Sequence, residues 1–72
     1  MSTDEYIRKL CQNIHAIRTS RQLSEEEMAR ILDVDTDILH RIERGDLAGE
    51  LKVESLVRIQ NAFGIPIKKL FE

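Results

Sequence analysis

The chain is poor in the residues that mark several protein classes. Its 72 residues include one cysteine, one proline, three glycines, no tryptophan and 4% aromatics. The lone Cys11 has no partner for an internal disulfide, which excludes a cystine-stapled scaffold and fits a reducing, cytoplasmic setting. No run approaches the ~18 apolar residues that a membrane span needs. Met1-Ser2-Thr3-Asp4-Glu5 is acidic and lacks an apolar core, so no export signal is read there. There is no Gly-rich phosphate loop and no Ser/His/Asp or Cys/His set with supporting context, so neither an enzyme nor a cofactor is expected. Nor is there an excess of positive charge. Eleven Lys and Arg face 13 Asp and Glu, for a formal net charge of −2. Proteins that grip phosphates are usually basic, and this balance argues against a simple polyanion binder.

What is present is a 42% hydrophobic chain of one domain's length, spanning 1–72. A chain this short buries only about 60% of its unfolded surface, which leaves one small core and little room for a deep cleft. The charge is unevenly spread. Residues 1–23 hold Asp4 and Glu5 against Arg8, Lys9, Arg18 and Arg21. Residues 24–44 hold seven acids (Glu25, Glu26, Glu27, Asp33, Asp35, Asp37, Glu43) against Arg30, Arg41 and Arg44. The middle of the chain is therefore its acidic part.

The periodicity is helical throughout. Tyr6, Ile7, Leu10, Ile14 and Ile17 form one apolar stripe on a first helix, with Ser2 and Glu5 spaced as a capping box. Ser24 and Glu27 repeat that box before a short second helix, whose inner side carries Met28, Ile31 and Leu32. Asp35 is a suitable N-cap for a third helix, with Leu39 and Ile42 facing inward and Gly45 as its left-handed stop. Asp46 to Lys52, with Gly49, reads as loop. Val53, Leu56, Ile59 and Phe63 mark a fourth helix ended by Gly64, and Ile67 to Phe71 give a last apolar turn. Five helices and no alternating strand run predict a compact all-α domain. The tight link between helices two and three is the helix-turn-helix pattern.

The residues go further than the periodicity. Ile17-Arg18, Leu23 to Ala29, Leu32-Asp33-Val34 and Ile42-Glu43-Arg44-Gly45 closely resemble the Cro/repressor-type (XRE) helix-turn-helix family. Leu56 to Ile59, Ala62 to Ile65 and Leu70-Phe71 are similar to that family's last two helices. The resemblance covers about residues 7–72, and Met1 with the family-like end at Glu72 fits a chain that is whole. It implies a DNA-binding regulator that lays helix three, about 35–44, in the major groove of double-stranded DNA. Position by position, the implied base-reading residues are Thr36, Asp37, Ile38 and Arg41. The implied backbone contacts are Ser24, Glu25, Asp35, Arg44 and the loop after Gly45. Arg18 and Glu43 match a partly buried ion pair tying helix one to helix three, and Ala29 a small residue that lets two helices approach. Modules of this size commonly pair over a two-fold site, and Ile65, Ile67, Leu70 and Phe71 are the candidate homodimer contacts.

The sequence departs from the family pattern at several points. Glu25 stands where Gln is common, and a carboxylate there would face a phosphate. Asp33 replaces the turn glycine, and Gln22 stands where Gly or Asn usually ends helix one. The loop from Asp46 to Lys52 is about two residues longer than usual and lacks the common proline. These departures, with the acidic middle segment, keep a second reading open. The fold would then serve as a protein-interaction or antitoxin-like module, with a partner on the face around Glu25, Asp33, Asp35 and Asp37. A basic ridge of Arg18, Arg21, Arg41, Arg44 and Lys52 would instead favour DNA.

Single residues carry alternatives too. Ser24 is a helix cap or a phosphate contact, and Asp37 a first-turn acid on the helix dipole or a base reader. Arg41 and Arg44 are solvated cations or DNA contacts. Ile38 is exposed in the DNA reading and would pack on a thymine methyl or a protein partner. Cys11 and His15, one turn apart, make an incomplete metal site, so packing or surface placement is the default and no metal is expected. His40 is read as a half-exposed helix residue with some reach to a phosphate when protonated.

Overall fold

The computed structural model describes residues 3–46 and 51–72. Helix α1 runs Thr3–Ser20, α2 Glu25–Leu32, α3 Thr36–Glu43 and α4 Val53–Phe63, followed by a 3-10 turn over Ile67–Phe71. The expected fifth helix is thus this 3-10 turn. Pro66 precedes it, and its five residues are too few to repay the cost of an α-helical nucleus. Its bonds are of the i→i+3 kind, with the Lys69 N–H donating to the Pro66 carbonyl at 2.9 Å. The expected capping box at Ser2 and the loop around Gly49 lie outside the described residues.

The apolar spacing of α1 does what it predicts. Leu10 and Ile14 are buried, while Ile7 and Ile17 pack half-buried against the same core. Cys11 joins them at 2% exposure, and burial pushes its thiol pKa up, so it packs as a small neutral hydrophobe. Tyr6 sits at the edge of the stripe, edge-on to Phe71 with centroids 6.4 Å apart. Met28, Leu32, Leu39 and Ile42 close the core from α2 and α3, each with no exposed surface. Full burial of one such side chain contributes about 1.5–3 kcal/mol. Ala29, 3% exposed, is small enough for α2 to lie close to its neighbours.

Leu70 is 1% exposed and belongs to this core, which corrects its assignment as a homodimer contact. Asn13 pins it there: its side-chain N–H donates to the Leu70 carbonyl at 2.6 Å. Ile65, Ile67 and Phe71 remain half-buried around it.

Three helices end on the same device. A residue one or two positions past the helix turns left-handed, and the next N–H reaches back five residues. After α1 the left-handed residue is Gln22 (φ 56°), after α2 Asp33 (φ 59°), and after α3 Gly45 (φ 88°). The closing bonds are Leu23 to Arg18, Val34 to Ala29 and Asp46 to Arg41, at 3.0, 2.9 and 2.9 Å. Two of the three turns therefore hold a side chain where glycine would be unstrained.

Helix α4 holds the end of α2 in place with two side chains. Buried Ser55 donates its hydroxyl to the Leu32 carbonyl at 3.0 Å, and Arg58 Nε donates to the Ile31 carbonyl at 2.8 Å. Both carbonyls lie in the last turn of α2, where helix geometry leaves them without an internal partner. The α2–α3 turn is thereby anchored to the rest of the domain.

Candidate nucleic-acid interface

The start of α2 is set by its first four residues. The Ser24 hydroxyl accepts the Glu27 N–H at 3.1 Å, and the Glu27 carboxylate accepts the Ser24 N–H at 3.0 Å. The full capping box is present. The Ser24 backbone N–H, and then its hydroxyl, hold the Glu27 carboxyl below its ordinary pKa. Asp35 occupies the N-cap position of α3, as the sequence predicts, but its side chain makes no capping bond.

Helix α3 has two sides with different chemistry. Leu39 and Ile42 point into the core. Thr36, Asp37, His40 and Arg44 are exposed, and Arg41 is half-buried. Of the four base-reading candidates, Thr36 and Asp37 thus lie in the open and Arg41 partly so. Ile38 does not: it is half-buried and packs against the core. Val34, Ile38 and Ile42 follow one another at four-residue spacing, so Ile38 continues the inner stripe. It lines an open groove with Val34 of the turn and Val57 of α4. His40, placed one turn after Thr36 and one turn before Arg44, takes the central exposed position. That spacing is legible in the sequence and adds to the phosphate reach already read for His40.

The four backbone-contact candidates, Ser24, Glu25, Asp35 and Arg44, are all exposed. Glu25 is not isolated. Its Oε2 lies 3.5 Å from His40 Nδ1, an ion pair across the α2–α3 corner when the imidazole is protonated. Their side chains are 46% and 59% exposed. Arg41 Nε pairs with Asp46 at 3.3 Å. Arg44 and Lys52 have no ion pair among the described residues.

The inner edge of α3 carries the expected tie to α1. Arg18 Nε reaches both Glu43 carboxylate oxygens at 3.0 Å, and its Nη1 donates to the Leu23 carbonyl at 3.1 Å. The Arg18 and Glu43 side chains are 16% and 8% exposed. One guanidinium therefore joins α1, α3 and the turn between α1 and α2. His15 adds a third member, its Nδ1 against Glu43 Oε1. His15 and Cys11, one turn apart on α1, part company: His15 turns to Glu43 and Cys11 to the core. Positions 15 and 18 share a helix face, which is the cue to that arrangement. Among the described residues no three His, Cys, Asp or Glu side chains stand together as a metal site.

The basic ridge that would favour DNA is only partly assembled. Arg18 is committed to Glu43, and Arg21 lies over the Phe63 ring, 4.7 Å from its centroid. Glu25, Asp33, Asp35 and Asp37 are exposed around the same corner. The profile of a helix-turn-helix family matches residues 14–70. The chain belongs to this XRE-type helix-turn-helix family. The match begins later than the 7–72 span of the resemblance, and it takes in all of α2, α3 and α4. No match to the chain is found among the curated proteins or the solved structures. The family is a DNA-binding one, and α2 and α3 are its two signature helices here. No helix among the described residues is long and apolar enough to cross a membrane.

Proposed function

We propose that this domain is a sequence-specific, double-stranded-DNA-binding transcriptional regulator that lays α3 in the major groove. The observation that carries the reading is the family match across the α2–α3 unit. The exposed outer side of α3 supports it. In this reading Thr36, Asp37 and Arg41 read bases, with Ile38 reaching a thymine methyl only from the edge of its groove. Ser24, Glu25, Asp35 and Arg44 lie along the phosphates, where the N-terminus of α2 offers unpaired N–H groups. Because few cations lie on the outer side of α3, one domain alone binds weakly, and affinity comes from a homodimer on a palindromic site. Ile65, Ile67 and Phe71 are the proposed self-contact.

The decisive experiment is selection from random duplex DNA at two salt concentrations. The proposal expects enrichment of a palindrome and loss of affinity as salt rises. No retention even at low salt overturns it. Arg41→Ala should relax base preference, whereas Arg44→Ala should weaken all sequences alike.

A second reading has its own support in the exposed acids Glu25, Asp33, Asp35 and Asp37. There the fold is an accessory or antitoxin-like module that binds a basic protein surface with weak or no DNA affinity. Failure of the selection, together with capture of a basic partner that Asp35→Asn and Asp37→Asn abolish, would establish it.

A further inference from the structure

The proposed DNA contact has an electrostatic fault at one point. Glu25 is the first residue of α2, where a phosphate would meet the helix N-terminus, and its carboxylate would repel that phosphate. The structure sets one group directly against it: His40 of α3, with Nδ1 3.5 Å from Glu25 Oε2. We infer that His40 is a positioning residue of the DNA surface, whose protonated ring draws the Glu25 carboxylate onto α3 and offsets its charge. This rests on the DNA-binding reading above.

The placement gives this pair a use in binding that the other histidine lacks. His40 lies on the exposed side of α3 with Thr36 and Arg44, each one turn away. With Nδ1 facing Glu25, Nε2 is left for an oxygen of the nucleic acid. The surrounding charges are few. On its own helix Asp37 stands one turn before and Arg44 one turn after; from α2, Glu25 is the carboxylate in contact. From α1, His15 and Arg18 go to Glu43 on the inner edge and not to His40.

Histidine changes charge between about pH 5 and 8, whereas the DNA phosphates stay ionised there. The protonated ring adds a positive charge beside the phosphate path. The neutral ring leaves Glu25 unopposed. Affinity for DNA therefore falls as pH rises through the histidine range. An exposed charge pair of this kind is worth about a two- to fivefold change in affinity.

The test is the dissociation constant for the selected duplex at pH 6 and pH 8, at one fixed salt concentration. It compares the unmodified protein with His40→Gln, Glu25→Gln and His15→Gln, each checked for helicity by circular dichroism at both pH values. The inference expects binding to weaken about two- to fivefold from pH 6 to pH 8 in the unmodified protein and in His15→Gln. It expects His40→Gln to bind with little pH dependence and at the weaker level. It expects Glu25→Gln to bind better, most clearly at pH 8. A pH slope that persists in a folded His40→Gln, or that vanishes in His15→Gln alone, overturns the inference while leaving DNA binding intact. No binding by the unmodified protein at either pH removes the DNA reading and this inference with it.

Discussion

Two histidine–glutamate pairs flank α3, and they belong to different parts of the molecule's work. On the inner edge His15 meets Glu43, a carboxylate only 8% exposed that also takes both bonds from Arg18 Nε. On the outer corner His40 meets Glu25 at 3.5 Å, with both side chains about half exposed. The residue types are the same, but the surroundings are not. The inner carboxylate is screened from water and held by bonds from two side chains of α1, so breaking that set disturbs the fold. The outer pair is solvated, adds little to stability, and is available to a phosphate. The inner set holds α3 in place, and in the proposed DNA reading the outer pair tunes what α3 meets.

The sharpest way to break the comparison is Arg18→Ala. It removes two bonds to a nearly buried carboxylate and one to the Leu23 carbonyl, leaving His15 as the one side chain on Glu43 among the described residues. We expect a loss of about 2–3 kcal/mol in urea denaturation. A loss below about 0.5 kcal/mol would place the inner pair in the same class as exposed pairs. Ser24→Ala should cost about 1 kcal/mol by removing the hydroxyl cap of α2. Gln22→Gly and Asp33→Gly relieve left-handed side-chain positions at φ 56° and 59°. Each should raise the melting temperature, by about 0.5–1 kcal/mol of stability, since the relief of strain outweighs the added freedom of the unfolded chain. Glu25→Gln, at the other end of the scale, should change stability by less than about 0.5 kcal/mol.

Acid should act on the fold through the cap of α2. Glu27 is held below its ordinary pKa by the Ser24 N–H and hydroxyl. A carboxyl whose pKa is lowered on folding contributes stability above its unfolded value and loses it as pH falls through the folded one. Melting from pH 6 downward should therefore show a decline that begins in the ordinary glutamate range and continues below it. Glu27→Gln should remove that part of the decline. An unchanged profile would mean that the cap does not titrate with the fold.

Much of this architecture was legible in the sequence because it rests on local rules. The α1 stripe, the Ser24–Glu27 box, the left-handed ends at Asp33 and Gly45, and the Arg18–Glu43 pair all appear where spacing or resemblance puts them. What was missed depends on tertiary packing. Ile38 looks like a reader on a bare helix, but the groove beside α4 draws it inward. Leu70 looks like surface at a chain end, but Asn13 and the core claim it. Ser55 and Arg58 share a helix face by spacing, yet nothing local says that they reach the carbonyls of α2. Asp35 keeps its cap position and loses its cap bond, because position follows from the turn and the bond from a side-chain rotamer.

In the proposed reading the outer side of α3 and the start of α2 form the DNA surface, and the inner edge is structural. An amide chemical-shift map of the labelled domain, titrated with the selected duplex, tests this most directly. We expect shifts concentrated at Ser24, Glu25, Asp35, Thr36, Asp37, His40, Arg41 and Arg44, with His15, Arg18 and Glu43 little changed. Shifts centred on the groove of Val34, Ile38 and Val57, or on α1, would contradict it.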